Sequence, residues 1–418
     1  MRTTSKTKIK LVRVGQEVTH PDALRVLMIS VTGAMGGAER SFIEVLRAMP
    51  RDRIHPYACV PPDTALERLC QSAEVPVYSV HLRRFRRTTN PFVLAGQVKA
   101  LYQGSRVVSE ICTSRNIDLI HANNDTAALV AWEVSRITGV PFVWHCRDLA
   151  PMHGFARILG GSAASVVAIS RRVEAHLLKE GVPADRVQRI DNGIDLKRIP
   201  YAEQCAEFRT RTRARLGIEM NRPVVLCVGS FVPWKRMELF LDTVAALRTR
   251  IPDVLGLLAG SDLISDNSAY AEALDTHARV LGLEPSSLRF LGECEDVPEL
   301  MTASDVVVSC SENEPFGRVV AEAGAAGVPV VSTRSGGKID IVEDGLTGIL
   351  VEQGDSAAMA EACAKLLNDA ALRKTIGTAA RARVEKLFDV RRTAEQVTEL
   401  FETITGRREA GGDADVRA

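Results

Sequence analysis

The sequence predicts an α/β protein of two doubly wound, Rossmann-like domains, and three observations carry that reading. The chain has 418 residues, more than one hydrophobic core usually serves, and about 150 residues per domain points to two or three domains. Two series of short apolar runs alternate with helix-length segments, the pattern of crossover units on a parallel sheet. A charged stretch, residues 203–215, stands between the two series.

Residues 1–22 read as a flexible leader: the segment is polar and basic and lacks the apolar core of about 7 to 15 residues that a secretory signal needs. The run LRVLMISV at residues 24–31 is continuously apolar, as expected of a strand buried on both faces. Further strands are expected at 57–60, 75–80, 119–121, 142–145, 166–169 and 187–190, which with the first make an N-terminal domain over 23–200. The second series falls at 224–228, 254–259, 288–291, 306–309, 328–332 and 348–351, and defines a C-terminal domain over 201–388. A last helix is expected within 389–405, followed by a Gly-, Asp- and Arg-rich tail, 406–418, with the composition of disorder.

The composition excludes several classes of function. Hydrophobic residues make up 46% of the chain and charged residues 25%, with a formal net charge of +1, so no overall field favours nucleic acid or an anionic membrane. The nine cysteines are scattered, without a C-x-x-C pair or histidines at metal-ligand spacing, and read as buried reduced thiols of a cytoplasmic protein. No stretch reaches the roughly 20 apolar residues that span a bilayer.

Ligands of doubly wound sheets bind beyond the carboxyl ends of the strands, and five segments meet that condition. In SCSENEPFGRVVAEAGAAGVPVVS, residues 309–332, a strand runs through Glu314 into a helix expected to open at Pro315, with Glu322 two turns inside it. Free N–H groups at Phe316, Gly317 and Arg318, with the positive end of the helix dipole, would suit a diphosphate. Glu322 could then accept hydrogen bonds from a ribose; equally, Glu314 could cap the helix and Glu322 lie solvated on its surface. In VLCVGSFVPWKRMELF, residues 225–240, Lys235 stands near a helix start, where an ammonium could neutralise phosphate on a leaving group or simply be solvated. The loop around Gly36 and Gly37 permits close backbone approach but lacks G-x-G-x-x-G spacing, and an ordinary strand-to-helix turn explains it as well. His145, in VWHCRD, is expected to leave a strand, as a structural or a catalytic residue. The backbone at Val297, in LGECEDVPELM, could hold a base edge or form a plain turn.

Read in order, these segments resemble glycosyltransferase family 4, the retaining GT-B transferases. The resemblance rests on the GGAE loop (36–39), S-x-x-V-x-x-x-L (170–177), NGID (192–195), Glu314-x7-Glu322, and SGGKIDIVEDGLTGILV (335–351), where Asp340 replaces the usual Glu. It implies two Rossmann-like domains facing a cleft and a nucleoside-diphosphate sugar as donor substrate, with no cofactor or metal. It implies that Glu314 and His145 contact the donor sugar, Lys235 the diphosphate and Glu322 the ribose, while Gly36 and Gly37 approach the phosphates. One position departs: where the family commonly reads G-R-L-x-x-x-K-G, this chain has Ser230 in place of Arg, so Arg236 or another residue would have to supply the second cation. The expected acceptor is a glycan, a lipid-linked molecule or a small molecule in polysaccharide or glycoconjugate synthesis. A nucleotide-sugar epimerase, a phosphorylase or a non-catalytic sugar-nucleotide-binding protein are the rival readings. The basic LRRFRR at 82–87 and the apolar segment after it leave peripheral membrane contact open beside the plainer reading of a solvated loop.

Overall fold

In the computed structural model, which describes residues 10–12, 20–85, 88–200, 204–261 and 268–407, the chain forms two units, Met1–Gly193 with Val390–Ala418, and Ile194–Asp389. The first unit holds β1 (Lys10–Val12), β2 (Leu24–Ile29), α1 (Gly37–Ala48), β3 (Ile54–Val60), α2 (Ala65–Gln71), β4 (Val77–Ser79), α3 (Pro91–Arg115), β5 (Leu119–Ala122), α4 (Asp125–Thr138), β6 (Phe142–Cys146), α5 (Phe155–Ser162), β7 (Ser165–Ala168), α6 (Arg171–Lys179) and β8 (Val187–Arg189). Its sheet runs β1-β4-β3-β2-β5-β6-β7-β8, parallel except for β1, which pairs antiparallel with β4. That edge strand corrects the reading of residues 1–22 as leader throughout: three residues are too few to show a pattern, and only the open edge of β4 gives them hydrogen-bond partners.

The second unit holds α7 (Cys205–Arg215), β9 (Val224–Val228), α8 (Met237–Arg248), β10 (Leu255–Ala259), α9 (Ser268–Val280), β11 (Leu288–Gly292), α10 (Val297–Ala303), β12 (Val306–Ser309), α11 (Arg318–Ala325), β13 (Val330–Thr333), α12 (Lys338–Ile341), β14 (Ile349–Val351), α13 (Ser356–Asn368) and α14 (Ala370–Leu387). Its sheet is β11-β10-β9-β12-β13-β14, parallel throughout. The α/β class thus appears twice; the inner strands are apolar and almost wholly buried, as helices on both faces of a sheet require, while the edge strands β8 and β11 are partly exposed.

Several helix starts follow from local chemistry. The Asn90 side chain accepts from the Phe92 N–H ahead of α3, with Pro91 as the first helical residue, and Asn124, Ser170, Asp355 and Asp369 cap α4, α6, α13 and α14 in the same manner.

The chain passes between units at Gly193/Ile194 and again at Asp389/Val390, where the sequence reading placed the boundaries at 200/201 and 388/389. The NGID turn explains the first position. A Cβ on Gly193 would lie 2.5 Å from the Val390 Cα, so only glycine lets the outgoing and returning segments pass, and the Ile194 N–H donates to the Phe388 carbonyl. The returning helix, α15 (Val390–Ile404), packs Ala394, Val397 and Phe401 into the core of the first unit. Arg53 there donates from Nε and Nη2 to the two carboxylate oxygens of Glu402, at 2.8 and 2.6 Å.

The charged stretch 203–215 belongs to the second unit. It supplies α7, and Arg213 on that helix is fully buried. Its guanidinium donates to the carbonyls of Ala303, Glu219, Met220 and Arg222 at 2.8–2.9 Å and to Asp305 at 3.0 Å. Of the nine free cysteines, Cys205 and Cys294 are partly exposed and the other seven are buried. Burial pushes the Cys70, Cys112 and Cys363 thiols up to about 12.

Candidate functional site

In the second unit, chain order reverses between β9 and β12: one side of the sheet continues to β10 and β11, the other to β13 and β14. Loops leaving two such strands diverge and open a crevice at their carboxyl ends. Lys235 lies on the loop after β9 and Glu314 on the loop after β12. They meet there, with Lys235 Nζ 2.7 Å from Glu314 Oε2 and both side chains about five-sixths buried, at 16% and 15% exposure. Burial pushes the Glu314 carboxyl up, but Lys235, Lys338 and a hydrogen bond from Ser311 outweigh it and hold it below its ordinary value. Glu314 is therefore a carboxylate at neutral pH.

Behind Glu314 lies a lysine that the sequence reading did not single out. Lys338 is fully buried, and its ammonium donates to the Ser311 carbonyl at 2.7 Å, to Ser311 Oγ at 3.2 Å and to Thr333 Oγ1 at 2.6 Å. The two glycines before it allow this placement. A Cβ on Gly336 would lie 2.3 Å from the Glu314 carbonyl oxygen, and one on Gly337 would lie 2.6 Å from that of Pro315. The Gly337 N–H also donates to the Glu314 carbonyl at 2.8 Å. The G-G pair was legible as a motif; its load, two loops pressed backbone to backbone, was not.

The helix after Glu314 starts later than its proline suggested. Pro315 and Phe316 precede it, Gly317 caps it at φ +108°, and Arg318 is its first residue. Phe316 is buried, its ring 5.6 Å from that of Phe388. This aromatic pair packs the two residues ahead of the helix, which bend rather than continue it, and glycine turns easily from there into the helix. Glu322 sits one turn inside and pairs with Arg318 at 2.9 Å, so neither plainer alternative, helix cap for Glu314 or solvated surface residue for Glu322, describes their contacts.

Around Lys235, Trp234 offers its ring 4.4 Å from the ammonium, a cation–π contact. Ser230 lies three residues before the short 3-10 turn Pro233–Lys235. Arg236, the expected substitute cation, takes the left-handed conformation at φ +53° and is bonded to Glu238 and Glu312. Tyr270 donates to the Glu238 carboxylate as well. Val297 opens α10, with Pro298 in its first turn.

Gly36, Gly37 and His145 belong to the first unit, which has its own reversal between β2 and β5. Gly36 precedes α1, and its N–H donates to Glu39 Oε2 at 3.2 Å. His145 does not leave its strand: it lies within β6, fully buried, with Nδ1 2.9 Å from His121 Nε2 on β5. Burial, reinforced by Arg147 and His121, pushes it well below its ordinary pKa, so both imidazoles stay neutral at pH 7. A polar chain missed in the sequence runs beneath the glycine loop. Asn123 donates to the Ala38 carbonyl at 3.2 Å and accepts from Arg147 at 2.7 Å; Arg147 also donates to Asn192 at 3.0 Å, and Asn192 to Ser41 at 2.8 Å. Asn123 follows a strand, the one signal that could have selected it.

The chain thus combines two doubly wound units with a cation–carboxylate pair at the sheet reversal of the second. The family model "Glycosyltransferase Family 4" matches residues 35–198 and that of "Glycosyl transferases group 1" residues 208–383. The D-inositol 3-phosphate glycosyltransferase of Salinispora arenicola is 31% identical, covering 69% of this chain and 69% of that protein. The N-acetyl-alpha-D-glucosaminyl L-malate synthase of Bacillus anthracis is 27% identical over 71% of this chain and 76% of its own. Among solved structures, Anabaena Alr3699/HepE in complex with UDP-glucose superposes with a TM-score of 0.78 at 28% identity, covering 91% of this chain and all of that one. The chain belongs to the family 4 glycosyltransferases.

Proposed function

We propose that this glycosyltransferase uses a nucleoside-diphosphate sugar, UDP- or GDP-linked, and transfers the sugar with retained configuration, without a metal or cofactor, to a glycan, small-molecule or lipid-linked acceptor. The observation that carries the reading is the Lys235–Glu314 pair at the β9/β12 reversal beside the start of α11. There the donor's diphosphate would meet the Lys235 ammonium and the first amides of α11. Glu314 would hold the sugar, Glu322 the ribose, and the loop entering α10 at Val297 the base. The acceptor hydroxyl would attack the face the phosphate leaves, and that phosphate would take its proton, so no carboxylate nucleophile is needed. His145, neutral at pH 7, is assigned no proton transfer. Similarity supports the donor class: the Anabaena structure is described with UDP and with UDP-glucose.

The test is a screen of UDP- and GDP-sugars in EDTA, with product configuration read by NMR, alongside titration with both nucleotides. Retained-configuration product is expected, and Glu322→Ala should weaken nucleotide binding about tenfold, the size of a hydrogen bond to a charged group. Inverted product, metal dependence or unchanged affinity would each remove the corresponding assignment.

We further propose that the acceptor is lipid-linked and met at an anionic membrane surface through α3. Phe92 is 86% exposed, and Leu94, Val98 and Tyr102, spaced to share one helix face, are exposed too. Between Leu82 and Ser109 the sequence has Arg83, Arg84, Arg86, Arg87, Lys99 and Arg106 and no Asp or Glu, a charge pattern that complements anionic headgroups; Arg86 and Arg87 lie outside the described residues. Among the described residues no helix is long and apolar enough to cross a membrane. The protein should float with phosphatidylglycerol vesicles and not with phosphatidylcholine vesicles. Val98→Ser with Phe92→Ser should weaken that binding about tenfold at unchanged UDP affinity; equal flotation with both lipids, or an unaffected variant, refutes the surface.

A further inference from the structure

Ser230 leaves the donor site without the arginine that the family commonly places there, and the nearby arginines are committed elsewhere: Arg236 to Glu238 and Glu312, Arg318 to Glu322. Lys338 is placed differently. It occupies an open position of the G-G-x-x-E pattern, is fully buried, and sits directly behind the loop that carries Glu314, with Gly317 so close that a Cβ there would lie 2.8 Å from Lys338 Cγ. Burying an ammonium costs several kcal/mol, an apolar residue would fill the same space, and the fold instead surrounds this one with oxygen acceptors from Ser311 and Thr333.

We propose that Lys338 is a positioning residue and the second cation of the donor site, acting from behind: through Ser311 it orients and keeps ionised Glu314, and it leaves the Lys235–Glu314–Lys338 cluster with a net positive charge for a donor diphosphate. The inference rests on the reading of this site as the donor site. The titratable groups around Lys338 are Glu314 and Lys235 from the two site loops, Cys310 beyond β12 and Cys227 on β9. Ser311 and Thr333 complete its polar surroundings. Burial pushes Lys338 down to about 8, against the pull of Glu314. The sign follows: below pH 8 the ammonium is charged and the cluster is positive, above it the amine is neutral and the cluster loses that charge. A diphosphate gains no charge over the same range, its last ionisation lying near pH 6 as in phosphate monoesters.

The experiment is calorimetric titration of the full chain with UDP, and in parallel with GDP, from pH 6.5 to 9.5. Affinity should fall about tenfold across pH 8, the scale of one unit charge acting at several ångströms inside a protein. Lys338→Met, of similar length and shape, should bind at pH 7 as weakly as the unaltered protein does at pH 9 and show no step near pH 8, with its melting temperature confirming a folded chain. The titration of the unaltered protein stands as a test by itself. Nucleotide binding that is flat from pH 7 to 9, or a step that persists in Lys338→Met, overturns the inference while leaving the donor site intact. Failure of both nucleotides to bind at any pH would sink the donor reading and this one together.

Discussion

Replacing Glu314 with Gln is expected to lower kcat by about 100- to 1000-fold, the range found when one charged or hydrogen-bonding group aimed at a developing charge is removed. The amide keeps the size of the carboxylate, so the loop need not move. What changes is charge: Lys235, 2.7 Å away, loses its counter-ion, and the buried Lys338 behind it loses the carboxylate that favours its charged form. With the negative charge removed, the cluster keeps its net positive charge if Lys338 turns neutral and gains in it if Lys338 stays charged, so nucleotide affinity should hold or rise while turnover falls. That split separates a role in the reaction from general damage, which would lower both. The measurement is kcat at saturating donor together with UDP affinity, and a rate within threefold of the unaltered protein would refute the role given to Glu314.

Arg213→Ala should destabilise the protein by about 3 to 5 kcal/mol, the cost of breaking a buried ionic cluster by removing one member. Four carbonyls and Asp305 accept hydrogen bonds from this guanidinium, and they would be left in a space that water enters poorly. Asp305 would retain Arg209 at 2.7 Å and the Val224 N–H at 2.8 Å, so the loss is below that of a fully orphaned carboxylate. Urea unfolding followed by circular dichroism gives the number, and a loss under about 1 kcal/mol would show that Arg213 is replaceable by solvent.

Arg213 also marks where reading the chain alone fails. In the sequence it is one basic residue in a charged stretch, with nothing local to mark it as buried. Three of its carbonyl partners, Glu219, Met220 and Arg222, lie six to nine residues further on, but its burial also needs the Ala303 carbonyl and Asp305 from about 90 residues further on, and no local pattern records those. Lys338 was invisible for the same reason: a lysine after two glycines reads as surface until Thr333 and Ser311 are brought to its ammonium. Phe316 was misplaced because its partner, Phe388, is remote in sequence, and the proline beside it is the stronger local signal. His145 was placed at a strand end, although a histidine accompanied by a second one on the neighbouring strand stays inside.

By itself the sequence determined the α/β class, the location of the strands other than β1, and the segments that carry Lys235, Glu314 and Glu322. Those are properties of local periodicity and of glycine and proline positions, which act within a few residues and are written where they act. The tertiary structure alone decided which of these groups touch, that Glu314 stands between two lysines, that Arg236 is held by carboxylates, and that one arginine of a charged stretch belongs to the core. Contact, burial and pKa depend on atoms brought together across the sheet reversals, and the free energy of a charge depends on everything within several ångströms of it, whatever its distance along the chain.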